Sequence, residues 1–135
     1  MLFVMAYGKS NGNYVFFQPN VHKDGDCVIR AVVKATGRTW YQVYDALCEI
    51  GREMQRMPND RKCVDKYLKG LGFSWWPMKV VKGQSRPIVK EFAKWVENHG
   101  PCVCSLSNHM VCCDGGFYYD IWDSGECCVY GWWGK

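Results

Sequence analysis

The spacing of apolar and polar positions divides the chain into a helical first half and a β-rich second half. From Cys27 to Thr36 the apolar residues Cys27, Ile29, Ala31, Val32, Val33 and Ala35 nearly surround a helix, which Asp24 or Asp26 is placed to cap and Gly37 to close. The pattern predicts a largely buried helix. A second helix follows Thr39 as cap, with Val43, Ala46, Leu47 and Ile50 on one stripe before Gly51 and a continuation towards Met57. A third begins after Asn59, sets Cys63, Val64, Tyr67 and Leu68 at helical spacing, and stops at Gly70 or Gly72. A fourth is expected from Ser85, with Pro87 in its first turn, Ile88, Phe92, Trp95 and Val96 facing inward, and Gly100 at its end.

Residues 1 to 21 read as a strand or two around an Asn11-Gly12-Asn13 turn, with the β-prone run Tyr14 to Phe17 closed by Pro19. Beyond Gly100 the pattern becomes four short β-prone runs separated by Ser, Asn, Gly and Asp: Cys102 to Leu106, His109 to Cys113, Phe117 to Trp122 and Cys127 to Trp133. Such a series predicts an antiparallel meander. Helices first and sheet second give an α+β fold, with N-terminal helices packed on a C-terminal antiparallel sheet. With no internal repeat, low-complexity tract or linker, residues 1–135 are expected to form a single domain.

Composition narrows the possibilities. A chain that is 48% hydrophobic, 16% aromatic and only 22% charged is built to fold and not to remain disordered. Its net charge of +4 is spread thinly over 17 Lys and Arg without a basic run, so no nucleic-acid partner is expected. The apolar stretch Met1 to Tyr7 is too short for a secretory signal and nothing reaches a membrane span, which points to a cytoplasmic protein without membrane contact. Nine cysteines, an odd number with Cys112-Cys113 and Cys127-Cys128 adjacent, argue for reduced thiols over a disulfide framework.

One of those cysteines stands where a nucleophile belongs. Cys27 opens an apolar helix, and the unsatisfied N–H groups and dipole of a first turn stabilise a thiolate; its own N–H is also one donor for an oxyanion. Free cysteine is often merely a small buried residue, so Cys27 needs partners to count. Hairpin arithmetic supplies them. With Asp114-Gly115 as a two-residue loop, Cys113 pairs with Gly116 and His109 falls directly opposite Asp120, close enough for a carboxylate to hold an imidazole. With Gly115-Gly116 as the loop, His109 faces Trp122 and the pairing is expected to fail. A shifted register would also allow Asp123 in place of Asp120.

Two segments carry a family resemblance. Asp26-Cys27-Val28-Ile29-Arg30-Ala31, then Thr36-Gly37 and Tyr41-Gln42-Val43-Tyr44-Asp45-Ala46-Leu47, resemble the nucleophile helix of small bacterial and phage proteins with a papain-like fold. His109-Met110-Val111 and Gly116-Phe117-Tyr118-Tyr119-Asp120-Ile121-Trp122-Asp123 are similar to their His and Asp strands. Over residues 18 to 123 the resemblance implies a papain-like fold with Cys27 as nucleophile, His109 as base, Asp120 as orienting acid and Gln18 as upstream oxyanion donor. Gln18 reads equally as a polar residue ending a strand before Pro19. The Gly-Ser-Cys-Trp surroundings of papain-type proteases are absent, so endopeptidase activity does not follow.

The resulting expectation is a thiol hydrolase that cleaves an amide, isopeptide or thioester bond of a protein or peptide substrate through an acyl-Cys27 intermediate, with no cofactor. The alternative is a catalytically inactive papain-like binding module, such as a phage-encoded inhibitor of a host protein. A zinc site of Cys102, Cys104, His109 and Cys112 lacks the second ligand pair that structural zinc normally uses, so no metal is expected and those cysteines read as packing residues. In each of the pairs Trp75-Trp76 and Trp132-Trp133, strand alternation sends one ring to the core.

Overall fold

A computed structural model describes residues 12–21 and 25–135. Asn11 and Asp24, named above in a turn and as a cap, and the rest of residues 1–11, lie outside them. The elements in chain order are β1 (Tyr14–Phe16), α1 (Cys27–Thr36), α2 (Trp40–Met54), α3 (Arg61–Gly70), β2 (Ser74–Pro77), α4 (Val89–Trp95), β3 (Cys102–Leu106), β4 (His109–Asp114), β5 (Phe117–Asp120) and β6 (Gly131–Gly134). The fold is α+β, with one six-stranded sheet in the order β1-β5-β4-β3-β6-β2 among the described residues.

Two features depart from a simple C-terminal meander. Strand β1 joins the edge parallel to β5, with Tyr14 opposite Tyr118 and Phe16 opposite Asp120, so the sheet is mixed. Strand β6 pairs with β3 and β2, not with its predecessor β5. Both are long-range pairings, invisible in a local pattern of alternation.

The pleat sends alternate strand residues into two cores. Val103, Met110, Cys112 and Trp133 pack with Val28, Val32, Val43, Leu47, Val64 and Leu68 of the first three helices. Cys102, Cys104, Val111, Cys113 and Tyr118 pack on the other face with Val89, Phe92 and Ala93 of α4. Cys112 and Cys113 thus lie on opposite faces. Of the tryptophans, Trp133 is fully buried with its Nε1–H donated to Asp65 at 2.9 Å, whereas Trp76 is half exposed.

Helix boundaries follow local chemistry. In α1 the Gly37 N–H closes onto the Val33 carbonyl from a left-handed conformation that suits glycine. In α2, Thr39 and Gln42 form a reciprocal capping box, and the helix ends at Met54, short of Met57. Asp60 caps α3 by accepting from the Lys62 N–H at 2.8 Å.

The fourth helix is shorter than the sequence suggests. Pro87 and Ile88 are extended because they pair with the chain at 127–129: Val129 N–H donates to Pro87 O and Val89 N–H to Cys127 O. Those bonds consume the backbone of the first expected turn. A start at Val89 then turns Val89, Phe92, Ala93 and Val96 inward and leaves Trp95 70% exposed, against the inward position expected for it. The same pairing removes Cys127 to Tyr130 from the last strand, which runs only from Gly131 to Gly134.

The β4–β5 register also differs from the Asp114-Gly115 hairpin. Asp114 pairs with Phe117, Cys113 with Tyr118 and Cys112 with Tyr119, so Gly115-Gly116 is the loop. Both glycines have positive φ, 62° and 94°, as a tight primed turn requires at both central positions. Glycine meets that demand twice without steric cost, and Asp114 is freed to remain in the strand, where Lys34 lies 3.4 Å from its carboxylate.

Close approach at the β2–β6 seam yields a test. A Cβ at Gly131 would collide with the Trp75 indole. Gly131→Ala is therefore expected to destabilise the protein by about 1–3 kcal/mol, the usual cost of overpacking, measured by urea unfolding. An unchanged midpoint would show that the seam is looser than described.

Candidate active site

The site forms where the β4–β5 hairpin opens. His109 is the first residue of β4, fixed just after the tight Ser107-Asn108 turn in which Asn108 is left-handed with φ 55°. Asp120 is the last residue of β5. Continuing the observed register places His109 opposite Trp122 and Asp120 opposite Val111. The two registers differ by an even number of residues, so His109 and Asp120 keep the same face and become diagonal neighbours, a separation long side chains can span. His109 Nε2 and Asp120 Oδ2 meet at 2.6 Å, and the Trp122 ring packs against the imidazole with centroids 4.9 Å apart. The expectation that a Gly115-Gly116 loop breaks the pair is thus wrong: diagonal contact replaces direct opposition.

Cys27 opens α1 against this end of the sheet. Its thiol is hydrogen-bonded to the His109 side chain and to the Met110 backbone. With Nε2 engaged by Asp120, Nδ1 is the imidazole nitrogen left for sulfur. Burial pushes the Cys27 thiol up, but the His109 hydrogen bond, the Met110 backbone hydrogen bond and the charges of His109 and Arg30 outweigh it, so the thiol lies below its ordinary value. For His109, burial acts downward, yet the hydrogen bonds and charges of Asp120 and Cys27 raise it to about 9. Both shifts favour a thiolate–imidazolium pair. Burial moves Cys102, Cys104, Cys112 and Cys127 the other way, Cys102 to about 12.

Behind the pair lies a buried network that the sequence reading did not assemble. Asp120 is fully buried; its Oδ2 also accepts from Ser124 Oγ at 2.7 Å, and its Oδ1 accepts from the Ile121 N–H at 2.8 Å and from Arg30 Nη2 at 3.3 Å. Arg30 reaches back along α1 to Asp26 Oδ1 at 2.6 Å, and Asp26 Oδ2 accepts from Trp40 Nε1 at 3.0 Å. Asp26 therefore makes no side-chain cap to α1 although it occupies the capping position. One signal for this network was present: a lone arginine on an apolar helix, four residues after an aspartate.

The other candidates fall elsewhere. Asp123 accepts from Tyr118 Oη and from the Gly125 N–H, which holds the turn after β5 and leaves His109 to Asp120. Gln18 is half-buried just past β1, next to Phe17, whose N–H donates to the Asp120 carbonyl at 2.9 Å. All nine cysteines are unpaired, and among the described residues no group of three or more His, Cys, Asp or Glu is placed to hold a metal ion. No described helix is long and apolar enough to cross a membrane.

The chain matches no family model, no curated protein and no solved structure. The chemistry of the site therefore rests on its own geometry.

Two results would test that geometry. Arg30→Met leaves the buried Asp26 and Asp120 carboxylates without their common cation, and breaking a buried pair typically costs about 3–5 kcal/mol; guanidinium unfolding should show a loss of that order. Iodoacetamide at pH 6 should modify Cys27 well ahead of the other thiols, by peptide mapping, and His109→Ala should erase that preference. Uniform labelling of the native protein would contradict the ion pair.

Proposed function

We propose that the protein is a papain-like thiol hydrolase that cleaves an amide, isopeptide or thioester bond of a protein or peptide through an acyl-Cys27 intermediate. The observation that carries this reading is the continuous contact from Cys27 through His109 to Asp120, in which a lowered thiol meets a raised imidazole.

In this reading the Cys27 thiolate attacks the substrate carbonyl carbon, and the carbonyl electron pair moves to oxygen. The Cys27 backbone N–H at the start of α1 donates to that oxyanion, with Gln18 as a second donor on the resemblance stated above. His109 gives its proton to the departing amine or thiol as the C–N or C–S bond breaks, which leaves the acyl group on sulfur. The neutral imidazole then takes a proton from water, whose oxygen attacks the acyl-enzyme, and Cys27 leaves as thiolate while His109 is reprotonated. Asp120 holds the ring throughout and stabilises its protonated form without itself taking the proton.

The two groups predict the pH profile. Hydrolysis requires Cys27 ionised and His109 protonated. As pH rises, the acid limb is crossed below the usual thiol range near 8.5, and activity falls as His109 loses its proton near pH 9. A generic thioester such as a peptidyl thiobenzyl ester serves as probe. Cys27→Ala should abolish turnover, and Asp120→Asn should lower kcat by orders of magnitude, as loss of an orienting carboxylate does. Turnover by Cys27→Ala equal to that of the native protein would exclude the acyl-enzyme route.

A further inference from the structure

Outside the site, a groove of about 590 Å³ beside α3, lined by Arg61, Lys62, Asp65, Lys66, Lys69 and Trp75, has a lining dominated by one sign of charge. Four cations face one carboxylate, and that carboxylate is already engaged: Asp65 Oδ1 accepts from Trp133 Nε1 and Oδ2 from Lys69 Nζ, each at 2.9 Å. Lys66 has only a 3.9 Å approach to Glu53, both well exposed. Arg61 and Lys62 have no carboxylate within ion-pair distance among the described residues. The lining thus keeps three cations in excess of its one carboxylate, only partly offset by Asp65 and Glu53, although the chain as a whole carries only +4.

Arg61 is also held in place. Its guanidinium lies 4.2 Å from the Trp75 ring centre and 4.6 Å from that of Trp133, and Nη1 is 3.4 Å from Ser105 Oγ. Stacking uses the face of the guanidinium and leaves edge N–H groups for a second ligand, the geometry in which arginine binds carboxylates. Ser105, itself buried, fixes how far the groove lies from the site. It is the register partner of Met110, whose backbone contacts the Cys27 thiol. Adding those steps, with about 5 Å between paired strand Cα atoms, puts Arg61 within roughly 15 Å of the Cys27 sulfur. An extended peptide covers that span in about four residues.

We propose that this groove binds an acidic side chain of the substrate, within about four residues of the carbonyl that Cys27 attacks. The inference rests on the thiol-hydrolase reading and assigns that reading a substrate class: a peptide or protein with a Glu- or Asp-rich stretch beside the cleaved bond. Charge complementarity selects an anion, and the distance set by the buried Ser105 and Met110 puts that anion within reach of a substrate held at Cys27. The cations follow one helix over residues 61–69, about 12 Å, which suits a short peptide segment better than a nucleic-acid backbone.

Hexaglutamate tests the proposal. It should bind the intact protein in calorimetry, with affinity falling steeply as salt is raised, and should slow iodoacetamide labelling of Cys27. Lys62→Gln combined with Lys66→Gln, two exposed positions, should weaken binding at least tenfold, and the corresponding Lys→Arg pair should restore it. No binding, binding indifferent to the Lys→Gln pair, binding that leaves Cys27 labelling unchanged, or tighter binding of a short oligothymidylate would each overturn the proposal. Failure of the underlying reading looks different: Cys27 would then label no faster than the other thiols even without hexaglutamate.

Discussion

Four donors converge on the side chain of one buried carboxylate, and the arrangement of the site depends on them. Asp120 receives Arg30 and the Ile121 N–H on one oxygen and His109 and Ser124 on the other. An ionised carboxylate without partners at that depth would cost several kcal/mol, and the four donors together offset that cost. Its backbone carbonyl is occupied too, by Tyr14 Oη and the Phe17 N–H. One residue thereby ties together β1, α1, β4 and the turn after β5.

Through Arg30 that constraint reaches the nucleophile. Asp26, Arg30, Asp120, His109 and Cys27 form a sequence of alternating charge when the last two are imidazolium and thiolate. Each ion has an opposite neighbour, which is how a site of such low exposure carries several charges. Arg30 stands one turn along α1 from Cys27, so the bond that steadies the carboxylate also sets where the first turn of the helix, with its sulfur, meets β4. Catalytic geometry and helix docking rest on the same contacts.

The parts of this arrangement legible in the sequence were those set by local rules. Cys27 to Thr36 was readable because apolar residues wrap the helix and Gly37 ends it, and α2 because Thr39 caps it. His109 and Asp120 could be joined because strand alternation has period two: the loop was placed one residue too early, yet parity survived and kept both side chains on one face. What stayed hidden depended on distant partners. The pairing of residues 127–129 with Pro87 and Ile88 shortened α4 and turned Trp95 outward, and no local pattern announces that β6 inserts beside β3. Ser124 stayed hidden for the same reason, and although the Asp26-Arg30 spacing was a local signal, only the folded chain brings Arg30 to Asp120.

The central claim is that Asp120 and Cys27 together hold His109 as an imidazolium, and a heteronuclear NMR titration of the His109 ring measures this directly. The account predicts a midpoint near 9, displaced downward when Asp120 is replaced by Asn. A midpoint near the ordinary histidine value of about 6.5, unchanged by that substitution, would contradict it.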